Sequence, residues 1–283
     1  MTAVEVSEVA PATASRRRRG PRTTLTRASG IGLGLTLIWF SLLVLLPLCA
    51  VIVEASEGGW SQFWHTVTSP QTAAAIRLSI AESLIVTLVN VVMGTAIAWV
   101  LVRDQFVGKR LLEVMIDVPF ALPTIVAGLV LLSLYGPDSP LGIDVANTRS
   151  AVFLALAFVT LPFVVRTVQP VLEELDGEVE EAAASLGASR ITTFRRIILP
   201  SLAPAIAAGA AMSFARAISE YGSLVLLSGN LPMRTEVTSV RILTYIENGD
   251  LASAAAVASL LLLVSFAVIV ALDLIQRRVA RRG

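Results

Sequence analysis

Arg216 and Glu220 lie four residues apart inside an otherwise apolar run, "AIAAGAAMSFARAISEYGSLVLLSG". An ionised side chain within a membrane span is expensive, and by default it marks a transport pathway or an ion pair. A spacing of four puts both groups on one face of a helix. Two chemistries fit. In one, Arg216 lines a path and tempers the passage of an anion while Glu220 fixes the guanidinium. In the other, the two neutralise each other, or join charges on a partner, to hold packing. Pro119 and Pro123 flank "FAL" in an earlier apolar run, and Thr124 follows directly. Prolines at that spacing kink or unwind a membrane helix and free carbonyls that need polar company. They read as a gate or as a fixed kink. Glu82, Asp117 and Asp273 sit near the ends of apolar runs, where contact with water makes helix-end or interface roles the simpler expectation.

Other chemistries are not expected. Cys49 is the single cysteine and lies in the first apolar run, so no disulfide can form within the chain. His65 is the single histidine, in a polar stretch without a second ligand nearby. No G-x-x-x-x-G-K-[ST] phosphate loop occurs, so the chain cannot hydrolyse ATP alone. No catalytic, metal-binding or cofactor-binding constellation is expected, and nothing suggests nucleic acid.

The elements that must carry these residues are membrane helices. The 283 residues are 55% hydrophobic and 15% charged, against about 25% charged in soluble domains. Apolar runs of the ~20 residues needed to cross a bilayer recur, and the short alternating segments of a β-barrel do not. Six spans are expected, at roughly 31–53, 79–102, 114–136, 150–170, 203–228 and 254–275. Residues 1–30, with "SRRRRGPR", read as a disordered basic tail, 31–275 as the six-span domain, and 276–283 as a second basic tail. Six crossings put both termini on one side. Sixteen arginines and lysines fall on that side, in the two tails and the second-to-third and fourth-to-fifth connections. Only Arg77, Arg149, Arg234 and Arg241 fall on the other. The positive-inside rule places the richer side, with both termini, in the cytoplasm. On the outer side "GGWSQFWHTVTSPQ" supplies aromatics suited to the membrane interface, and "YGPDSPLG" is turn chemistry.

The polar insert at 176–200 stands out between the fourth and fifth spans. Asp176 can cap a first helix, with Glu178, Glu180 and Glu181 in the early turns favoured by the helix dipole. Ala182, Ala183 and Ala184 favour helix and leave a flat surface for another protein. Gly187 reads as the helix-ending glycine, Ser189 as the cap of a second helix, "RITTFRRIIL", and Pro200 as its stop. An acid-led helix, a glycine elbow and a basic helix together read as a docking hairpin.

The run Glu181-Ala182-Ala183, then Gly187, Ile197 and Leu199-Pro200, resembles the EAA signature of ABC importer permeases, and it lies between the two spans where that family carries it. The resemblance implies an all-α, six-span type I (MetI-like) permease fold and a coupling helix that seats in a separate cytoplasmic ATPase. Its coupling residues here would be Glu180, Glu181, Ala182, Ala183, Gly187, Leu199 and Pro200. The likeness extends over nearly 30–275, through "DVPFALPTIVAGLVLLSLYG", "TLPFVVRTVQPVLEELD", "FARAISEYGSLVLLSGNLPMRTEV" and "AAAVASLLLLVSF". Within the permeases it is similar to the T-type (CysT) sulfate/thiosulfate group, with Ser219 and Tyr221 departing from that group's common glycine and phenylalanine. The resemblance implies a non-enzymatic subunit of the bacterial plasma membrane. Its partners would be ATPase subunits, a W-type second permease as heterodimer and an extracytoplasmic sulfate-binding protein, with Arg216, Glu220, Pro119, Pro123 and Thr124 as pathway candidates. A molybdate or tungstate importer shares this machinery. A secondary transporter would not need the insert, and a membrane scaffold or signalling protein would use it to dock some other soluble partner.

Overall fold

The structure, a computed structural model, describes residues 27–175 and 177–280, and every regular element among them is helical. Residues 1–26 of the expected disordered tail, 281–283 of the second and the capping residue expected at Asp176 lie outside the described residues, while 27–30 and 276–280 are helical, the ends of the first and last helices. The chain divides after Leu48 into two compact units. The first carries α1 (Arg27–Phe40) and a π turn (Ser41–Leu45). The helix runs on as α2 (Leu46–Glu57), and the stretch Ser29–Glu57 is long and apolar enough to cross a bilayer.

The second unit contains α3 (Gly59–Thr68), α4 (Pro70–Arg103), α5 (Lys109–Ala121), α6 (Thr124–Tyr135) and α7 (Arg149–Glu174). The insert follows as α8 (Gly177–Ser185) and α9 (Arg190–Thr193). A π turn (Phe194–Ile198) then leads into α10 (Leu199–Ile218), α11 (Gly222–Leu227), α12 (Thr238–Glu247) and α13 (Leu251–Ala280). By length and composition five helices qualify as spans, and six when the bent pair α5–α6 counts as one.

Side-chain register fixes how they thread. Asn90 donates to Thr160 Oγ1 at 2.8 Å. Gly94 lies against Val164, and Arg103 reaches the carbonyl of Leu175 at 3.4 Å. Sequence position rises together along both helices, so α4 and α7 run parallel. Parallel neighbours require the chain between them to return across the bilayer, and α5–α6 supplies that return. The packing of α10 on α7 runs the other way: Leu202 shares a buried cluster with Val168 and Leu172, and Ala217 shares one with Leu156. A Cβ on Gly209 would stand 3.0 Å from the Cα of Val164, so the glycine brings the two backbones together midway. Small residues at a helix crossing are the usual way for membrane helices to gain contact, since lipid supplies no hydrophobic drive between them.

Two expected spans are broken. The run 114–136 is not one helix: α5 and α6 meet at 119°. Pro119 is absorbed inside α5, whereas Pro123 is not. A residue before proline is pushed out of the helical region, and Leu122 is extended at φ −85°, ψ 135°. Pro123 then serves as the cap of α6, its carbonyl accepting from Val126 and Ala127 N–H. The run 203–228 also divides. Its helix ends at Ile218, and a short separate helix, α11, follows. Pro200 is no stop, because Arg190–Ile218 continues through it. The π turn just before it bonds Leu199 N–H to Phe194 O, a wider loop than an α turn, and Pro200 follows directly on this widened turn in a helix that continues. The stretch "GGWSQFWHTV", expected as loop, forms α3, with Trp60 stacked on Phe63 at 5.6 Å.

Candidate functional site

The insert is a mounted hairpin. Gly187 N–H bonds Ala184 O at 2.9 Å and Ala188 N–H bonds Ala183 O at 3.0 Å, which together close the end of α8. Gly187 holds φ +82°, a conformation that costs glycine almost nothing and other residues more. Ser189 Oγ accepts from Thr192 N–H at 3.2 Å and starts α9. The side chain of Glu178 lies outside what the structure describes. Glu180 and Glu181 part company. Glu180 turns inward and meets Arg103 at 2.5 Å. Arg103 lies over the ring of Trp99, and Trp99 meets Phe194 edge to face at 5.7 Å. Ala183 is buried beneath α8, while Glu181, Ala182, Ala184 and Leu186 face outward, as does Ile191 on α9. Leu199 and Pro200 are exposed at the root of α10. A groove of about 660 Å³ runs between α8, α9 and the end of α4.

This arrangement sorts the candidate residues by task. Glu180, Ala183 and Gly187 fasten or shape the hairpin. Glu181 and Ala182 are exposed on the outward face of α8. The hairpin is joined to the apolar helices in two ways: through Arg103 to α4, and through the continuous helix Arg190–Ile218 to α10. Sequence reading did not find Arg103 as a partner for the insert. Its signal was weak, since an arginine at the end of a span is ordinary.

The second constellation lies where α10 ends and α11 begins. Arg216 Nη2 stands 2.7 Å from Glu220 Oε2, so the structure brings this pair together. They do not share one helix face, because α10 has ended before Glu220. The carboxylate is fully buried and its other oxygen accepts from both Ser223 N–H and Ser223 Oγ, each at 2.9 Å. Glu220 therefore organises the start of α11. That helix packs on α6: a Cβ on Gly222 would stand 2.9 Å from Ile125 N, and one on Gly128 would stand 2.7 Å from Ser223 O. The break after Pro123 and the break after Ile218 thus meet, with Thr124 against Gly222. Pro119 is set apart inside α5.

A further intramembrane pair was missed. Arg166 on α7 clamps Asp117 on α5 through two parallel bonds of 2.7 and 2.6 Å, and also bonds Glu113 O at 3.0 Å and Gln169 Oε1 at 2.8 Å. Asp117 was expected at a helix end or interface. Two opposite charges both placed in apolar runs was the signal that could have paired them, since such charges seek each other in a membrane.

A bundle of apolar helices with two meeting breaks and one polar helical hairpin, hung between α7 and α10, is the architecture of an importer permease. The chain belongs to the family of inner membrane components of binding-protein-dependent transport systems, which matches residues 90–282. It is 42% identical over 259 residues to the sulfate transport system permease protein CysT of Salmonella typhimurium, covering 89% of this chain and 94% of that protein. Against CysT of Escherichia coli K12 the identity is 40% over 259 residues, with the same coverage. A chain of a bacterial alginate ABC transporter, solved with an alginate pentasaccharide-bound periplasmic protein, has the same fold. Its TM-score is 0.73 at 18% identity, covering 89% of this chain and 94% of that one. A chain of the MetNI methionine ABC transporter gives a TM-score of 0.59 at 18% identity, over 74% and 96%.

Proposed function

We propose that this chain is the T-type permease subunit of an ATP-driven importer of sulfate and thiosulfate. The observation that carries the substrate is the extended identity to sulfate permeases, 40–42% over nearly the whole of either chain. The outward face of α8 is the seat for a separate cytoplasmic ATPase, with Glu181 and Ala182 as contacts. Nucleotide-driven closure of two such ATPases would pull the hairpin and switch the pathway between the two sides. The excess of arginine and lysine on the hairpin side favours both termini in the cytoplasm. A W-type permease would complete a heterodimer, and an extracytoplasmic binding protein would deliver the anion. The meeting breaks at Pro123–Thr124 and Ser219–Tyr221 are the part of the pathway best placed to move, with Arg216 and Glu220 beside them.

The test is uptake of labelled sulfate by cells that lack their own sulfate permease, supplied with this chain and its partners, and compared with Glu181→Lys. Uptake should be robust in the parent and fall to background in the variant, since a charge reversal on the docking face opposes seating. Uptake unchanged by the substitution would sink the coupling role of Glu181. Absent sulfate uptake with strong molybdate uptake would transfer the same machine to molybdate.

A further inference from the structure

Only four arginines lie on the face opposite the hairpin, and three of them fold to one place. Arg77 on α4, Arg149 at the start of α7 and Arg234 in the connection after α11 line a single open cavity of about 380 Å³. The fourth, Arg241, is occupied elsewhere, stacked over Tyr245 at 4.3 Å and bonded to its hydroxyl at 3.0 Å. Four ion pairs occur among the described residues, and none involves Arg77, Arg149 or Arg234. Two carboxylates share the cavity wall. Glu236 accepts from Gln71 Nε2 at 2.8 Å, and Glu82 is half-buried. The wall therefore carries three positive and two negative groups.

The backbone around it is pinned. Asn147, Asn230 and Met233, at φ 62°, 48° and 64°, are the non-glycine residues of positive φ among the described residues, and all three flank Arg149 or Arg234. Such conformations cost energy and persist only where the surroundings impose them, most often at functional sites. Asn147 N–H bonds Leu227 O at 3.0 Å. Thr235 Oγ1 donates to Ser228 O at 2.6 Å and accepts from Leu231 N–H at 3.0 Å. Arg149 Nε reaches the carbonyl of Arg234 at 3.4 Å. Three elements distant in sequence are thus locked together with their guanidiniums toward shared space.

We propose that Arg77, Arg149 and Arg234 form a receiving site for a small tetrahedral oxyanion on the face opposite the hairpin, an inference that rests on the sulfate reading above. A hydrated dianion about to leave water needs donors that replace its shell, and guanidinium forks match oxyanion geometry. It must also leave again, and a pathway works when binding is good enough to enter and weak enough to release. Glu82 and Glu236 supply that weakening by lowering the net charge of the wall.

The experiment uses the full assembly reconstituted with ATPase, second permease and loaded binding protein, and compares R77Q, R149Q and R234Q with R77K, R149K and R234K. Three quantities are measured: sulfate uptake, affinity of the docked binding protein, and ATP hydrolysis stimulated by it. Each glutamine variant should lose about tenfold in uptake, the scale of one charged hydrogen bond, with docking and stimulated hydrolysis within twofold of the parent. The lysine variants should recover most of the uptake. Uptake within twofold of the parent in all glutamine variants overturns the site. Docking lost in step with uptake overturns it in favour of a protein-docking surface. Loss of folded assembly in the glutamine variants but not the lysine variants, with uptake per assembled complex unchanged, overturns it in favour of simple charge balance for Glu82 and Glu236. A parent assembly that moves no sulfate refutes the substrate reading instead.

Discussion

Replacing Glu220 by leucine separates the two roles that an intramembrane arginine–glutamate pair can have. The native carboxylate is fully buried and engages Arg216, Ser223 N–H and Ser223 Oγ. Leucine removes all three interactions and leaves a partly buried guanidinium and a buried N–H without acceptors. Breaking one side of a buried pair costs about 3–5 kcal/mol. Glutamine keeps an acceptor for Ser223 and should cost only about 1–2 kcal/mol. The double variant Arg216→Leu/Glu220→Leu removes both charges and should be more stable than Glu220→Leu alone by at least about 1 kcal/mol, because no guanidinium is left stranded. Denaturant titration of the purified chain in mixed micelles reads these differences, and sulfate uptake is measured on the same variants. If Glu220→Leu unfolds at the parent's denaturant concentration yet abolishes uptake, the reasoning is wrong: the pair then acts on the transported ion and not first as an internal strut.

Two further outcomes follow from contacts described above. Gly128→Ala places a methyl 2.7 Å from the carbonyl oxygen of Ser223 and 3.0 Å from its Cα. Both are backbone atoms, so the junction of α6 and α11 must shift, and the same titration should show a loss of about 1–3 kcal/mol. Arg103→Met removes the tie from α4 to Glu180, a partly buried pair with side chains 25% and 30% exposed, worth about 1 kcal/mol after screening. Its folded yield should hardly change, while sulfate moved per ATP hydrolysed should fall several-fold; an unchanged ratio would show that α10 alone carries the stroke.

Much of this molecule is written in its hydropathy, and the parts that are not share a cause. The apolar runs located the spans because lipid imposes one requirement on every residue that faces it. Hydropathy averages over a window, however, and "PFALPTIVAG" is as apolar around Pro123 as a straight helix would be. The proline pair gave notice of a distortion but not of its 119° size. The break after Ile218 was hidden the same way, since "FARAISEYGSLVLL" is apolar on both sides of Glu220. The elbow of the insert was legible because Gly187 and Ser189 act on their own neighbours. Arg103–Glu180 and Arg166–Asp117 were not, because each joins residues brought close only by tertiary packing. The same holds for the three arginines of the outer cavity, which the sequence showed only as a scarce set on the poorer side.

The π turn at Phe194–Ile198 has a geometric consequence for the hairpin below it. Each residue of an α-helix advances the azimuth by about 100°. A wide turn takes up one extra residue without adding a full step of rotation, so it works as an indexing notch between the span and the hairpin. Removing one residue from 194–198 would leave composition, hydropathy and helix content almost untouched. It would also restore ordinary winding and, because the wide turn had already absorbed that residue, leave Glu181 and Ala182 near their present azimuth, whereas a deletion within the ordinary turns of α10 would swing them about 100°. The aim of the outward face of α8 is therefore buffered at this turn against the loss of one residue, and unprotected against it along the rest of the helix.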